Sequence, residues 1–205
     1  MTLRSISSKD SLISKKLSWL LRHGAEKDNV PICEEGFVKV SDILQHKSFR
    51  PNVTLEDLQR VVACNDKQRF TLRKNPITLQ FEIKANQGHT IVLKNPNLFE
   101  IPITTTYTEI IHGTYHSWKK IKREGLKRMK WMHIHFAKGL NSISGIRKNC
   151  QVLIYVNIKS ALSDGYKFYE SENQVILCPG NADGILPIHY FLKVVDYQTN
   201  NLLTY

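Results

Sequence analysis

The chain is poor in acid. Its 205 residues hold 18 Asp and Glu against 29 Lys and Arg, a formal net charge of +11. The imbalance is shared: residues 1–88 carry 15 basic and 10 acidic residues, residues 89–205 carry 14 and 8. A polyanion can therefore meet either half, and a basic excess is the electrostatic footprint of nucleic-acid binding. The plainer reading is that the charge aids solubility. Cysteine is also sparse. Cys33, Cys64, Cys150 and Cys178 stand at least 28 residues apart, which excludes a local Cys-x-x-Cys metal or redox motif. No apolar run reaches membrane-spanning length. The first residues mix Lys9, Asp10, Lys15 and Lys16 among apolar ones, unlike the core of a secretory signal. Reduced thiols in a cytoplasmic or nuclear protein with no membrane partner are expected. There is no internal repeat and no low-complexity linker. No Gly-x-Gly-x-x-Gly follows a strand, so a Rossmann mode of dinucleotide binding is disfavoured.

What is present is enough apolar residue, 41%, for a packed core. Ile13, Leu17, Leu20 and Leu21 recur at helical spacing, and Gly24 is positioned to stop that helix. Ser41 reads as the cap of a short helix over Asp42-Ile43-Leu44. Thr54-Leu55-Glu56-Asp57 resembles a capping box, with Leu55, Leu58, Val61 and Val62 following at helical spacing. The period then changes to two: Phe70 and Leu72, a turn at Asn75-Pro76, then Leu79, Phe81 and Ile83. Three helices and a hairpin suggest a winged-helix module. Beyond it the spacing predicts strands at 90–93, 109–112, 133–137, 151–156, 174–177 and 189–195. One helix, with the stripe Tyr115, Trp118 and Ile121, ends at Gly125. The boundary falls near 84–88, where the hairpin gives way to Gln87-Gly88-His89.

Several short motifs have chemistry of their own. Arg22 and His23 close the first helix, where basic side chains also simply complement the helix dipole. Arg69 follows the turn-like Asn65-Asp66, and Arg147 follows Ser144-Gly145. Guanidinium groups bind phosphate bidentately and stay charged, so three of them with a histidine would suit a phosphate dianion. His112-Gly113-Thr114 ends an apolar strand. The glycine would let a ligand approach the backbone closely, or the tripeptide is an ordinary turn capped by Thr114. His133 and His135 share one strand face, a possible start of a metal site, but no third ligand stands nearby in sequence. Seven Lys and Arg against Glu124 alone occupy residues 119–130, either a solvated surface or a contact for RNA phosphates.

In this order, across almost the whole chain, these segments resemble the RNA 2′-phosphotransferases of the Tpt1/KptA family. The match is carried by Leu17-Ser18-Trp19-Leu20-Leu21-Arg22-His23-Gly24, Asn65 to Phe70, Ala85-Asn86-Gln87-Gly88-His89-Thr90, Ile111-His112-Gly113-Thr114, His133-Ile134-His135-Phe136 and Ser142 to Arg147. Phe168 to Ser171, Asn173, Val175-Ile176-Leu177, Pro179-Gly180 and Gly184 extend it. The resemblance implies an α+β fold of two lobes. Residues 1–86 would form a winged-helix-like RNA-binding lobe, and residues 87–205 a β-rich, ADP-ribosyltransferase-like NAD-binding lobe. It implies a catalytic tetrad of Arg22, His23, Arg69 and Arg147. It places His112, Gly113, Thr114, His133, His135, Gln87, Gly88 and His89 at NAD, used as co-substrate without a metal. The expected partner is RNA with an internal 2′-phosphate at a tRNA splice junction, and the expected state is a monomer. Products would be RNA with a free 2′-hydroxyl, nicotinamide and ADP-ribose 1″,2″-cyclic phosphate. Two positions depart from the family pattern: Lys84 and Trp131 stand where arginine is usual, and Lys84 keeps charge but loses the bidentate fork. Two other functions stay open at this stage. One is an ADP-ribosyltransferase that caps terminal phosphates of nucleic acids; the other is a non-catalytic nucleic-acid binder.

Overall fold

A computed structural model describes residues 7–142, 144–146 and 149–205. The chain is mixed helix and sheet and divides into two compact units, Met1–Asn97 and Leu98–Tyr205. The division lies eleven residues past the expected 86/87 border. Residues 87–97 belong to the first unit because they are bonded into it. The N–H groups of Thr90 and Ile91 donate to Arg22 O, Asn95 N–H donates to Glu34 O, and Ile91 and Leu93 are buried. Those same bonds explain why the strand expected at 90–93 is absent: its donors go to a helix end instead of a ladder.

The first unit begins with α1 (Ser8–Trp19), capped by Ser7, whose hydroxyl accepts from Asp10 N–H at 3.0 Å. A π-helical turn, Leu20–Gly24, continues it. Ile13, Leu17, Leu20 and Leu21 are all buried, as their spacing predicts. Then follow β1 (Val38–Lys39), α2 (Val40–Gln45), α3 (Leu55–Ala63), β2 (Phe70–Lys74) and β3 (Phe81–Ala85). The Thr54–Asp57 capping box is formed. The expected Ser41 cap is not: α2 starts one residue earlier, after Lys39, and Ser41 lies within it. The sheet is antiparallel, in the order β1-β3-β2, so the hairpin gains a third strand that two residues of sequence did not announce. Arg60 of α3 grips Asp10 of α1 through Nε and Nη2 and also bonds Asp57, which Lys9 reaches at 2.8 Å. Those partners, Lys9 first, hold the Asp57 carboxyl down at about 2.

The second unit contains β4 (Phe99–Glu100), β5 (Glu109–Thr114), α4 (Trp118–Glu124), β6 (Leu126–Lys127), β7 (Ile134–Phe136), β8 (Val152–Asn157), α5 (Ile158–Ser163), β9 (Tyr169–Glu170), β10 (Ile176–Cys178), β11 (Ile185–Leu186) and β12 (Phe191–Asp196). Its larger sheets run β12-β8-β5 and β4-β9-β10-β7; β11 pairs with β6. Ile110, Ile154, Val156 and Val194 from the first sheet and Ile134, Phe136 and Ile176 from the second share one core with Phe168. A bridge between Ile111 and Ala137 ties the end of β7 to β5. Thr114 is the last residue of β5, and the cap position of α4 is Ser117 instead. All four cysteines are free thiols.

Candidate active site

On the first unit, Arg22 and His23 occupy the π turn. There Ala25 N–H donates to Leu20 O at 2.9 Å, the i→i+5 bond of this geometry. The helical stretch ends at Gly24, as the sequence suggests, but without a left-handed cap: Ala25 after it is right-handed. Glycine is required for another reason: a Cβ there would run into the ring of Trp19. The carbonyl of Arg22 accepts from Thr90 N–H at 2.9 Å and from the Thr90 hydroxyl at 3.3 Å. With its proton committed there, the hydroxyl accepts from His23 Nδ1, 3.0 Å away. The neutral imidazole then carries its proton on Nδ1 and its basic lone pair on Nε2.

The Arg22 guanidinium is the least comfortable group among the described residues. Its Nε and Nη2 are buried and have no hydrogen-bond partner. Burial, and secondarily the charge of Arg69, lowers its pKa to about 10, so it remains a cation at neutral pH. Gly88, at φ +85, backs it: a Cβ there would lie 3.5 Å from Arg22 Cζ. An unmet buried donor costs about 1–3 kcal/mol, more when charged. A multi-oxygen anion is the ligand that relieves it.

Arg69 is held by a residue to which the sequence reading gave no role beyond a turn. Asn65 Oδ1 accepts both the Arg69 backbone N–H at 3.2 Å and its Nη1–H at 3.1 Å. Asn65 Nδ2 donates to Ser14 of α1 at 3.4 Å. Asn86 fixes the other flank, bonding Arg69 O through its N–H and Gln68 O through its amide. Burial depresses the Arg69 pKa. His23, Asn65 and Arg69 open onto a cavity of about 450 Å³ that runs along α1. Gln87 is half-buried and His89 buried, both on this unit with Gly88 and Arg22. Lys84 is buried on β3, its ammonium 5.0 Å from the centre of the Phe37 ring.

On the second unit, His112, Gly113 and Thr114 end β5, and His135 sits in β7 with His133 just before it. The structure brings the two motifs together: His112 Nδ1 donates to His135 O at 2.9 Å. Ile146 and Cys150 lie 3.2 and 3.4 Å from where a Cβ on Gly113 would sit, so a side chain there would need Ile146 to give by a few tenths of an ångström. Ile134 and Phe136 are buried while His133 and His135 are partly exposed, the alternation expected of this strand. Burial, then the charge of Arg128, lowers His133 to about 4. Arg128 itself donates to Trp131 O at 3.1 Å.

Arg147 lies outside the described residues. The described residues just before it are clamped. Ser144 is buried and accepts from Asn173 Nδ2 at 3.5 Å, and Asn173 Oδ1 accepts from the Ser171 hydroxyl at 2.8 Å. Gly145, at φ +105, packs against Ala137, where a Cβ would come within 2.8 Å of backbone. Asn173 and Ser171 were legible only as local caps. In the basic stretch, Lys119, Lys120, Lys122, Arg123, Lys127 and Lys130 are exposed. No group of three metal-ligating side chains forms among the described residues.

Comparison with known proteins bears on the whole arrangement. The family model for RNA 2′-phosphotransferases of the Tpt1/KptA type matches residues 8–180. The tRNA 2′-phosphotransferase 1 of Danio rerio is 44% identical over 197 residues, covering 93% of this chain and 87% of that protein. The human protein of that name is 41% identical over 198 residues, 93% of this chain and 77% of its own. The tRNA 2′-phosphotransferase of Saccharomyces cerevisiae is 33% identical over 199 residues, 91% and 84% of the two chains. The matched stretch takes in the π turn, the Arg69 loop and both histidine motifs, and on that basis the chain belongs to the Tpt1/KptA family of RNA 2′-phosphotransferases.

Proposed function

We propose that this protein removes an internal 2′-phosphate from spliced tRNA by transferring it to NAD, as a monomer in the cytoplasm or nucleus. The observation that carries the reading is the Arg22 guanidinium, buried with two unmet donors and crowded by the like charge of Arg69. A cation kept in that state suits a phosphate dianion. The names of the relatives supply the substrate class.

Arg22 and Arg69 hold the phosphate, His23 supplies its basic Nε2 to take the proton lost in the second step, and Arg147 is the fourth catalytic residue. His112, Gly113, Thr114, His133 and His135 take the nicotinamide side of NAD, with Gln87, Gly88 and His89 contributing. Neutral His133 adds no positive charge beside a pyridinium. The order helix, strand, two helices and hairpin supports a winged-helix-like reading of the first unit as the RNA-binding module. The β-rich second unit fits an ADP-ribosyltransferase-like module.

In step one a 2′-phosphate oxygen bonds to C1″ of the nicotinamide ribose. The glycosidic C–N bond breaks, and neutral nicotinamide leaves with the bonding pair. In step two the 2″-hydroxyl attacks phosphorus and loses its proton. The P–O2′ bond breaks, and O2′ takes up a proton to leave RNA with a 2′-hydroxyl and ADP-ribose 1″,2″-cyclic phosphate. Step one needs mainly orientation, since the leaving group is already cationic. Step two gathers charge on phosphorus, where fixed guanidinium donors contribute most. The test is nicotinamide release on mixing protein, NAD and a short RNA. Release with a 2′-phosphorylated RNA and none with its unphosphorylated twin supports the reading; no phosphate dependence overturns it.

A further inference from the structure

We propose that Trp19 is a stacking platform for an unpaired nucleobase beside the reacting phosphate, and that the cavity along α1 receives that nucleotide. This rests on the reading of RNA as substrate. The π turn sets up the platform. An i→i+5 turn places residue 24 over residue 19, and only glycine there leaves room for the indole, whose six-membered ring lies over it. The ring is thereby supported by backbone, yet Trp19 remains 46% exposed. A rigid, supported and accessible indole is unusual on a surface, because burying it elsewhere would be favourable.

The surroundings match a nucleotide. Ser11, Ser14, Lys15 and Ser18 fall at i, i+3, i+4 and i+7, one polar face of α1, and together line the same cavity as Trp19. Its volume of about 450 Å³ lies within the range of small-ligand sites. Hydroxyls offer partners to ribose and phosphate, and Lys15 and Arg69 supply positive charge. Asp10, the one carboxylate in the wall among the described residues, is engaged by Arg60 through Nε at 3.1 Å and Nη2 at 2.7 Å. Val61 and Cys64 add apolar wall. His23 and Arg69 line it too, so a nucleotide on Trp19 shares its cavity with two members of the anion site.

The chemistry selects single-stranded RNA. Every base has a π face, so stacking tolerates any sequence, but a base inside a duplex has none to offer. The test is direct binding, without NAD, of a labelled RNA tetramer carrying one internal 2′-phosphate. A companion set replaces each base in turn by an abasic ribose. For the wild-type protein, one abasic position weakens binding by about 5- to 150-fold, the span of base–aromatic stacking. Trp19→Ala loses the same factor with the intact tetramer and nothing more with that abasic one, while Trp19→Phe retains most of the affinity. Trp19 is exposed, so melting temperature serves to verify that both variants fold. Equal binding of intact and abasic tetramers by the wild type overturns the proposal. So does an unchanged affinity of Trp19→Ala, or additive losses from the two changes. In those cases phosphate-dependent nicotinamide release still stands, and only this inference falls. No binding of any tetramer, with no such release, removes the functional reading too.

Discussion

The Thr90 hydroxyl lies 3.0 Å from His23 Nδ1 and donates onward to the carbonyl of Arg22. One side chain therefore sets the tautomer of the histidine while its own backbone pins the arginine beside it. Thr90→Val keeps the shape and the backbone bond but removes the hydroxyl. Turnover should fall by roughly 100-fold, the low end of what a positioned acid–base group contributes, with an unchanged melting temperature. Thr90→Ser should restore most of it. Normal steady-state rates for Thr90→Val would show that the tautomer is set elsewhere.

Arg22 should be a residue kept at the expense of stability. Arg22→Met removes a buried charge and two unmet donors beside Arg69, and leaves a side chain of similar length. The variant should gain about 1–2 kcal/mol in urea unfolding and lose turnover. Inorganic phosphate should raise the wild-type melting temperature by linkage and leave the variant unaffected. A destabilised Arg22→Met would mean that the guanidinium is satisfied in the folded protein.

The pH dependence of stability has a defined direction at His133. Folding lowers its pKa from 6.5 to about 4, so the native state favours the neutral ring. Its contribution is fully present above about 6.5 and is lost as pH falls toward 4. His133→Phe should flatten the unfolding free energy across that interval. An unaltered slope between pH 6.5 and 4 would assign the acid sensitivity to other groups.

The exposed lysines of α4 should act through phosphates. Replacing Lys119, Lys120 and Lys122 together by Gln should weaken RNA binding, and each lost contact should flatten the salt slope by about 0.7. An identical slope would leave this stretch as solvated surface.

The sequence revealed elements where period and caps agree. The α1 stripe, the Thr54 capping box and the β2–β3 hairpin each had two signals. It misread the 90–93 segment, whose apolar run suggests a strand, because its hydrogen-bond partner is Arg22 O, 68 positions away from Thr90. Ser41 misled in a similar way, because a serine can sit inside a helix, and Gly24 marks the helix end for a reason the sequence did not show, the Trp19 ring packed over it. Thr90 read as part of a strand and Asn65 as part of a turn, and neither reading showed a positioning role, since a positioning side chain is defined by what it touches. Arg22, His23, Arg69 and the histidine motifs were found through resemblance. Composition and spacing alone left helix-dipole and turn readings for each.

The central claim is that the 2′-phosphate itself moves. A single-turnover time course with RNA labelled at the 2′-phosphorus follows it directly. The label should pass from RNA to an RNA–ADP-ribose adduct and then to ADP-ribose 1″,2″-cyclic phosphate, with one nicotinamide released per phosphate. Arg147→Ala should accumulate the adduct, because losing a donor costs step two roughly 100- to 1000-fold. Label that appears as inorganic phosphate, or that never leaves an adduct in the wild-type protein, would contradict the account.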